Sequence, residues 1–425
     1  MKAIEIMSPV GSRESLMAAL QAGAGSVYFG VGKLNMRSRS TQNFGLDDLD
    51  EIANLCGERG VRTYLTLNSV IFDEELAQMR ELAHRAKDAG ISAIIASDLA
   101  VIQYVHSLGM PVHMSTQTNI TNTEAVRFWS RFADVMVMAR ELNLDQVKAI
   151  TQNIEKQQIK GPSGELVRIE IFVHGALCMA VSGKCYLSLD NLGSSANRGA
   201  CLQPCRRGYT VRDRDNEVEL EVENEYIMSP KDLNTIGFLD KILDAGVQVL
   251  KIEGRGRAPE YVKVVTEVYR EAVAAIQQGD YNPERVAHWN ARLSSVYNRG
   301  FWDGYYLGRK TGEWSATHGS EATERKIYVG RIENYFARIG VAEVRMDSHE
   351  LCVGDKVYII GPTTGVIESS PSEIRVELSP VEKTVKGERC SIPVPEQVRT
   401  GDKVYKVVKV AQEAGSSARN ADPYA

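Results

Sequence analysis

From Met1 to about Gly254 short apolar runs alternate with longer segments whose apolar residues recur at three-to-four spacing, the pattern of strands interleaved with amphipathic helices. The runs are Ile4–Met7, Ser26–Phe29, Thr63–Leu67, Ala93–Ala96, Val112–Ser115, Asp134–Met138, Ile169–Val173 and Val249–Ile252. Between them the helical stripe is clearest over Arg13–Ala22, Asp47–Arg59, Glu75–Ala89 and Leu99–Leu108. Gly60, Gly90 and Gly109 close three of these segments, where a left-handed C-cap is needed. Eight strands with helical crossovers predict a parallel (β/α)8 TIM-like barrel, with an open doubly wound sheet as the alternative. Either architecture places chemistry at the carboxyl ends of the strands. There the sequence puts Ser8, Tyr28, Asn68, Ser97, Asp98, Gln117, Asn119, Arg140, Glu141, His174, Glu253 and Arg255.

One connection breaks the rhythm. About fifty residues separate His174 from the short run Tyr226–Met228, whereas a βα loop usually has ~2 to 6. Within this insertion, residues 174–225, the pattern predicts a hairpin pairing Tyr209–Arg212 with Val218–Glu221 around the turn Asp213–Asn216. Ser229-Pro230-Lys231-Asp232 then reads as a helix start, with Ser as cap, Pro in the first turn and an acid three residues on. Glu260–Gln278 is a long helical stripe, and the aromatic, Gly-rich Asn298–Gly308 reads as a packing lid under the barrel rather than a surface for stacking bases. From Arg325 the period changes to two (IYVGRI, AEVRM, DKVYII, EIRVEL, DKVYKVV). This predicts a small β-barrel over 325–410, after a barrel domain over 1–320 and before a disordered tail at 411–425.

The bulk properties change the picture little. The chain has 425 residues, 43% hydrophobic and 25% charged, an ordinary globular balance. With a net charge of −5 no global field draws it to nucleic acid, so an RNA contact needs a local patch. The N-terminal residues do not read as a signal peptide, and no run approaches the ~18 apolar residues of a membrane helix. The expected setting is cytoplasmic, with no membrane partner, where thiols stay reduced and a cysteine cluster points to metal or catalysis.

Four of the seven cysteines, Cys178, Cys185, Cys201 and Cys205, lie in the insertion with spacing C-x6-C-x15-C-x3-C. Zinc sites usually pair ligands as C-x2-4-C, which only Cys201 and Cys205 satisfy, while iron–sulfur clusters tolerate varied spacing. Spacing leaves iron–sulfur and zinc both open, with disulfides third. From Ala196 to Arg212 there is no acid, but there are Arg198, Arg206, Arg207 and Arg212. They are either solvated loop residues or neighbours of an anion such as a cluster, a phosphate or a carboxylate. Cys56, Cys352 and Cys390 read as core residues. His113 and His174 are conceivable mononuclear metal ligands, and His174 a conceivable partner of Cys178 in a Cys/His nucleophilic pair.

The stretch Glu170-x-Phe172-x-x-Gly175-Ala176-Leu177-Cys178-x4-Gly183-x-Cys185-x-Leu187-Ser188 resembles the signature of the collagenase-like peptidase family U32. Asn197-Arg198-Gly199-Ala200-Cys201-Leu202-Gln203-Pro204-Cys205-Arg206 is similar to the family's RNA-hydroxylation branch, as are SPVGSRESLMAALQAGAGSVYFG, IMSPKDL, VLKIEGR and YVGRIENYFARIGVAEV. The resemblance implies prephenate-dependent 5-hydroxylation of the wobble uridine in the tRNA anticodon loop. It also implies a 4Fe-4S cluster held by Cys178, Cys185, Cys201 and Cys205, with prephenate as co-substrate or effector. Arg37, Arg198, Arg206, Arg207 and Arg255 are the candidates for phosphate or carboxylate contacts, with Arg39 a further one. His174, Glu253, Asn68 and Gln117 are candidate catalytic groups. A peptidase is the alternative, although the chain has no H-E-x-x-H and no G-x-S-x-G. A non-catalytic, cluster-bearing scaffold of a hydroxylase complex is the third reading.

Overall fold

The eight apolar runs become strands that pair into one closed ring. In the computed structural model, which describes residues 3–39, 43–210, 226–317 and 319–410, the ring is built from β1 (Glu5–Pro9), β2 (Ser26–Gly30), β3 (Arg62–Leu67), β4 (Ala93–Ala96), β5 (Val112–Met114), β6 (Val135–Val137) and β7 (Arg168–Gly175). The short strand β8 (Asp232–Asn234) intervenes before β9 (Val249–Ile252), which completes the ring by pairing in parallel with both β7 and β1. Closure settles the architecture in favour of the TIM-like barrel over the open sheet. Outside it run α1 (Arg13–Gln21), α2 (Asp48–Gly57), α3 (Leu76–Asp88), α4 (Leu99–Ser107), α5 (Thr123–Trp129) and α6 (Leu144–Lys156). After α7 (Leu187–Leu192) in the long insertion come α8 (Leu239–Asp244), α9 (Pro259–Gln278) and α10 (Pro283–Ser295). Ser12, Asp98, Asn122 and Asn143 cap α1, α4, α5 and α6 through side-chain acceptors, each satisfying an otherwise orphaned amide. Gly60, Gly90 and Gly109 all take positive φ, as the left-handed caps require. No helix among the described residues is long and apolar enough to cross a membrane.

The inside of the ring is unusually charged. Met7, Tyr28, Tyr64, Ala93, Ile95, Val135 and Val249 form an inner apolar cluster, but among them Lys251 Nζ lies 2.7 Å from Glu170 Oε1, both side chains almost wholly buried. Nearer the amino ends of the strands Glu5, 3% exposed, accepts from Tyr64 Oη at 2.6 Å and Arg168 Nη1 at 2.9 Å, and is paired with Arg62. A charge taken from water is tolerated only when it is paired and hydrogen-bonded, and each of these acids is. The larger core lies outside the ring, between strands and helices.

Two sequence expectations change. Ser229-Pro230-Lys231-Asp232 does not start a helix: Lys231 and Asp232 donate their amides to Glu313 and Gly300, and the Asp232 carboxylate is taken by Arg257 at 3.0 Å and Arg299 at 3.4 Å. With donors and acid spent sideways, the segment leads into strand β8 at Asp232, and the helix begins at Leu239. Asn298–Gly308 packs as expected, with Trp302 and Tyr306 buried, but beside the carboxyl end of β7 rather than under the barrel. There β10 (Phe301–Trp302) pairs with β8, which pairs with His174 and Gly175. The expected hairpin falls largely on residues 211–225, and the expected tail on 411–425, outside the described residues.

The period-two region forms β11 (Glu324–Phe336), β12 (Val341–Met346), β13 (Val357–Gly361), β14 (Gly365–Ser369), β15 (Ile374–Val376), β16 (Ser379–Val381), β17 (Arg389–Pro393) and β18 (Lys403–Lys409). They make one antiparallel sheet in the order β14-β13-β18-β11-β12-β17-β15-β16 around a single apolar core that includes Val329, Ile359, Ile374 and Cys390. Cys56 and Cys390 are buried, as expected of core cysteines, whereas Cys352 is only half-buried. The sheet docks on α1 and α9: Ala18 packs with Tyr358, Ile360 and Val366, Gln21 bonds both Thr364 O and Val366 N, and Lys263 donates to Val366 O.

Removing Glu170 would strand the Lys251 ammonium inside the ring. Glu170→Ala is expected to cost about 3–5 kcal/mol in urea unfolding, and replacing the pair together (Glu170→Leu with Lys251→Met) to recover most of it. A single variant as stable as the parent would show that the pair does not hold the seam.

Candidate active site at the barrel mouth

The long insertion leaves the carboxyl end of β7 and folds back over the mouth of the ring. Gly175 makes the exit possible: at φ +102° a side chain there would be strained, and a Cβ would stand 2.5 Å from Glu253 O. The loop is then fastened to one strand end after another. Ser182 O accepts from Asn119 Nδ2 at 3.0 Å beyond β5, Asn197 O accepts from Val70 N beyond β3, and Gly199 O accepts from Arg39 N and Ser38 Oγ beyond β2. Gly199 sits at φ +76° with Asn35 O 2.2 Å from where a Cβ would be, so the two loops touch backbone to backbone.

The four cysteines are carried by this cap. None of the chain's seven cysteines is in a disulfide. Burial pushes the Cys205 thiol up, Arg206 pulls it down, and Cys178, Cys201 and Cys185 push it further, so the other three thiols lie within electrostatic reach of Cys205. Among the described residues no three His, Cys, Asp or Glu side chains are arranged to hold a single metal ion.

Under the cap is a cluster of guanidinium groups around one carboxylate. Burial alone would raise the Glu253 carboxyl, but Arg37, Arg257 and Arg140, with the Ala176 amide, hold it below its usual range. It is therefore ionised at neutral pH and poorly placed to serve as a base. Arg37 approaches Glu253 at 3.4 Å. Burial works against the Arg37 charge, and Glu253, Cys178 and Cys201 outweigh it. Arg255, 7% exposed, donates to Thr66 Oγ1 at 2.7 Å and Asn35 Oδ1 at 3.2 Å, and burial lowers it to about 10. Arg140 lies 3.9 Å above the Phe172 ring and donates to Ala176 O, while its buried Nε has no hydrogen-bond partner. The arrangement favours an anionic ligand: fixed guanidinium donors in a desolvated site are suited to a carboxylate or phosphate.

Several candidates turn out to hold structure. Arg198 is committed to Glu75, with both nitrogens at 2.5 Å, and stacks 4.0 Å over Phe72, so it fastens the cap to the turn that precedes α3 and is not presented to a ligand. Arg206 is spent on main-chain and hydroxyl acceptors. Asn68 accepts from Met36 N at 3.2 Å, and Gln117 accepts from Ser115 at 3.2 Å while packing under Gly183. Ser8 and Asp98 are turned to Thr266 and to the start of α4. Arg207 and Arg39 lie at the surface.

His174 is enclosed by Tyr261, Tyr269 and Phe301 with ring centroids 5.5–6.0 Å away. Burial and then Arg257 lower it to about 3, against Glu253, so it is a neutral core imidazole. His113 faces the opposite end of the barrel, its ring 4.4 Å from Tyr64. There it lines a cavity of about 560 Å³ with Arg62, Asp134 and Arg168, well away from the thiols. The two histidines do not form a shared site. The sequence reading missed Asn35, Arg140's place over Phe172 and the Lys251–Glu170 pair; for the last, the signal was a charged residue inside an apolar run, as in Ile-Glu-Ile-Phe and Leu-Lys-Ile.

Comparison with known proteins adds to this geometry. Residues 11–316 match the model of peptidase family U32. A Porphyromonas gingivalis protein named collagenase is 59% identical over 405 residues, 95% of this chain and 98% of its own. A Helicobacter pylori tRNA hydroxylation protein P is 33% identical over 320 residues, 73% of each chain. The 23S rRNA 5-hydroxycytidine C2501 synthase of Escherichia coli is 33% identical over 323 residues, 74% of this chain and 46% of its own.

The His174 environment gives a pH test. An imidazole held below its unfolded value of ~6.5 stabilises the fold fully above that pH and loses the contribution as the pH falls towards its folded value. His174→Phe, which keeps the cage filled, is expected to lose less stability than the parent between about pH 7 and about pH 5, read as urea midpoints. Parallel losses would remove His174 from the acid limb.

Proposed function

The chain belongs to peptidase family U32, and from that premise we propose that it is an iron–sulfur enzyme that hydroxylates C5 of the wobble uridine in tRNA with prephenate as co-substrate or effector. The observation that carries the reading is the cap: four cysteines on one segment closed over a mouth lined by Arg37, Arg140 and Arg255. Each iron of a cluster takes its own thiolate, so the ligands stand farther apart than around a single ion; thiols within charge range but without single-ion packing are compatible with that. Cys178, Cys185, Cys201 and Cys205 would hold the 4Fe-4S group, which supplies one-electron transfer when bound. Relatives named for tRNA hydroxylation and for 5-hydroxycytidine synthesis support an RNA substrate.

The chain's own residues supply binding and exclusion of water. Prephenate is a dicarboxylate, and the Arg37, Arg140 and Arg255 charges give it an anion-attracting floor, with the loose 3.4 Å contact of Arg37 to Glu253 the one an incoming carboxylate would replace. The uridine must leave its stack to enter, which the anticodon loop permits at small cost. Arg207, exposed on the cap, is placed for backbone phosphate. A cytoplasmic setting keeps the thiols reduced.

Peptidase activity is the second reading, supported by the collagenase-named relative at 59% identity. The burial of His174 among aromatic rings opposes a Cys178/His174 nucleophilic pair. A scaffold acting only within a complex is the third.

Nucleoside mass spectrometry separates the readings. In a deletion strain 5-hydroxyuridine derivatives of tRNA are expected to disappear and to return with the wild-type gene but not with Cys201→Ala or Arg37→Ala. Unchanged derivatives, together with gelatin cleavage by pure protein, would establish the peptidase. Loss in the strain with neither activity in the purified protein would establish the scaffold.

A further inference from the structure

We propose that Arg206 is a positioning residue that locks the first and last cysteines of the cap into one arrangement. Its guanidinium donates from Nη2 to Leu177 O at 2.7 Å and from Nη1 to Pro230 O at 2.6 Å and Ser229 Oγ at 3.0 Å. Leu177 directly precedes Cys178, and Cys205 directly precedes Arg206. One planar group therefore ties the backbone at the first thiol to the backbone at the last, and ties both to Ser229–Pro230, where the chain returns to the barrel. Two of the three acceptors are main-chain carbonyls, so the clamp is fixed largely by the course of the chain. The rigid fork of arginine can span three such acceptors, whereas the single ammonium of lysine cannot hold their geometry.

Position in the cap supports the assignment. Arg198 closes the middle of the loop on the turn that precedes α3 through Glu75, and Ser182 and Gly183 rest on Asn119 and Gln117. The region around Cys201 and Cys185 thus has its own fastenings to the barrel. Only Arg206 joins the strand exit at Cys178 to the turn at Cys205 among the hydrogen bonds described here. Groups that orient ligands from behind in this way typically govern affinity by about 10- to 100-fold.

The proposal deepens the iron–sulfur reading but has a readout that does not depend on it. In metal-free protein carrying Cys185→Ser and Cys201→Ser, diamide is expected to join Cys178 and Cys205, taking up the two electrons and two protons released as the S–S bond forms. Arg206→Gln should slow that bond by about tenfold or more, consistent with loss of an imposed proximity, and Arg206→Lys should restore only part of the rate. In otherwise wild-type protein reconstituted without oxygen, Arg206→Gln should lower iron retention by about 10- to 100-fold and change the electron paramagnetic resonance of the reduced cluster. Disulfide rates and spectra equal to the parent in both variants would overturn the clamp while leaving the cluster standing. A slowed disulfide in protein that never retains iron would uphold the clamp and overturn the cluster. A partly unfolded glutamine variant, seen as lost circular dichroism, transfers the decision to Arg206→Lys, whose rate must fall below the parent's.

Discussion

The ring closes where β7 meets β9, and at that seam a buried ammonium faces a buried carboxylate. Lys251 belongs to β9 and Glu170 to β7, and the strands pair directly, Phe172 opposite Lys251 and Glu170 opposite Val249. Neither charge has water to return to, so each confines the other, and the register of the closing strands is confined with them. Everything at the mouth inherits that register. Glu253 lies two residues beyond Lys251, and Gly175 leads from β7 into the cap. A slip of one residue would turn the seam's charges towards the helices, since side chains alternate faces along a strand.

The mouth resolves a second electrostatic problem in the opposite sense. Inside the ring, each acid has a basic partner. Under the cap, Arg37, Arg257 and Arg140 crowd one carboxylate, and that carboxylate is pulled down accordingly, with Arg255 buried nearby. The excess of positive charge in a desolvated place is costly for the apoprotein and favourable for whatever anion enters. The Arg37 guanidinium is in the field of both Glu253 and the thiols of Cys178 and Cys201. This is why the two halves of the proposed site are read together rather than as a pocket and a separate cluster.

The barrel was legible because its strands are short apolar runs at regular intervals, and the caps were legible because Gly60, Gly90 and Gly109 mark them. The helix expected at Ser229-Pro230-Lys231-Asp232 failed because a capping pattern describes local options only; Arg257 and Arg299, distant in sequence, claimed the acid. Arg198 and Arg206 looked like ligand contacts for the same reason: composition shows a free guanidinium, whereas Glu75 and the Leu177 carbonyl were invisible until the chain was folded. His174 was read by its place after a strand, but it lies within β7 just past a register shift against β9, in an aromatic cage. The cysteines could be located and grouped by sequence, and their spacing left the metal open; what the fold adds is their common placement across the mouth.

The fastening of the cap to successive strand ends also fixes an order of events. Cys178 through Cys205 precede Ser229–Pro230 and β9 in the chain, yet the cap is held by contacts beyond β2, β3 and β5 and at Ser229–Pro230. Contacts of such long sequence separation form late. The thiol set is accordingly complete only on a folded protein. Under the proposed iron–sulfur reading, loading would be a maturation step that follows folding, with the stability of the barrel seam a condition for it.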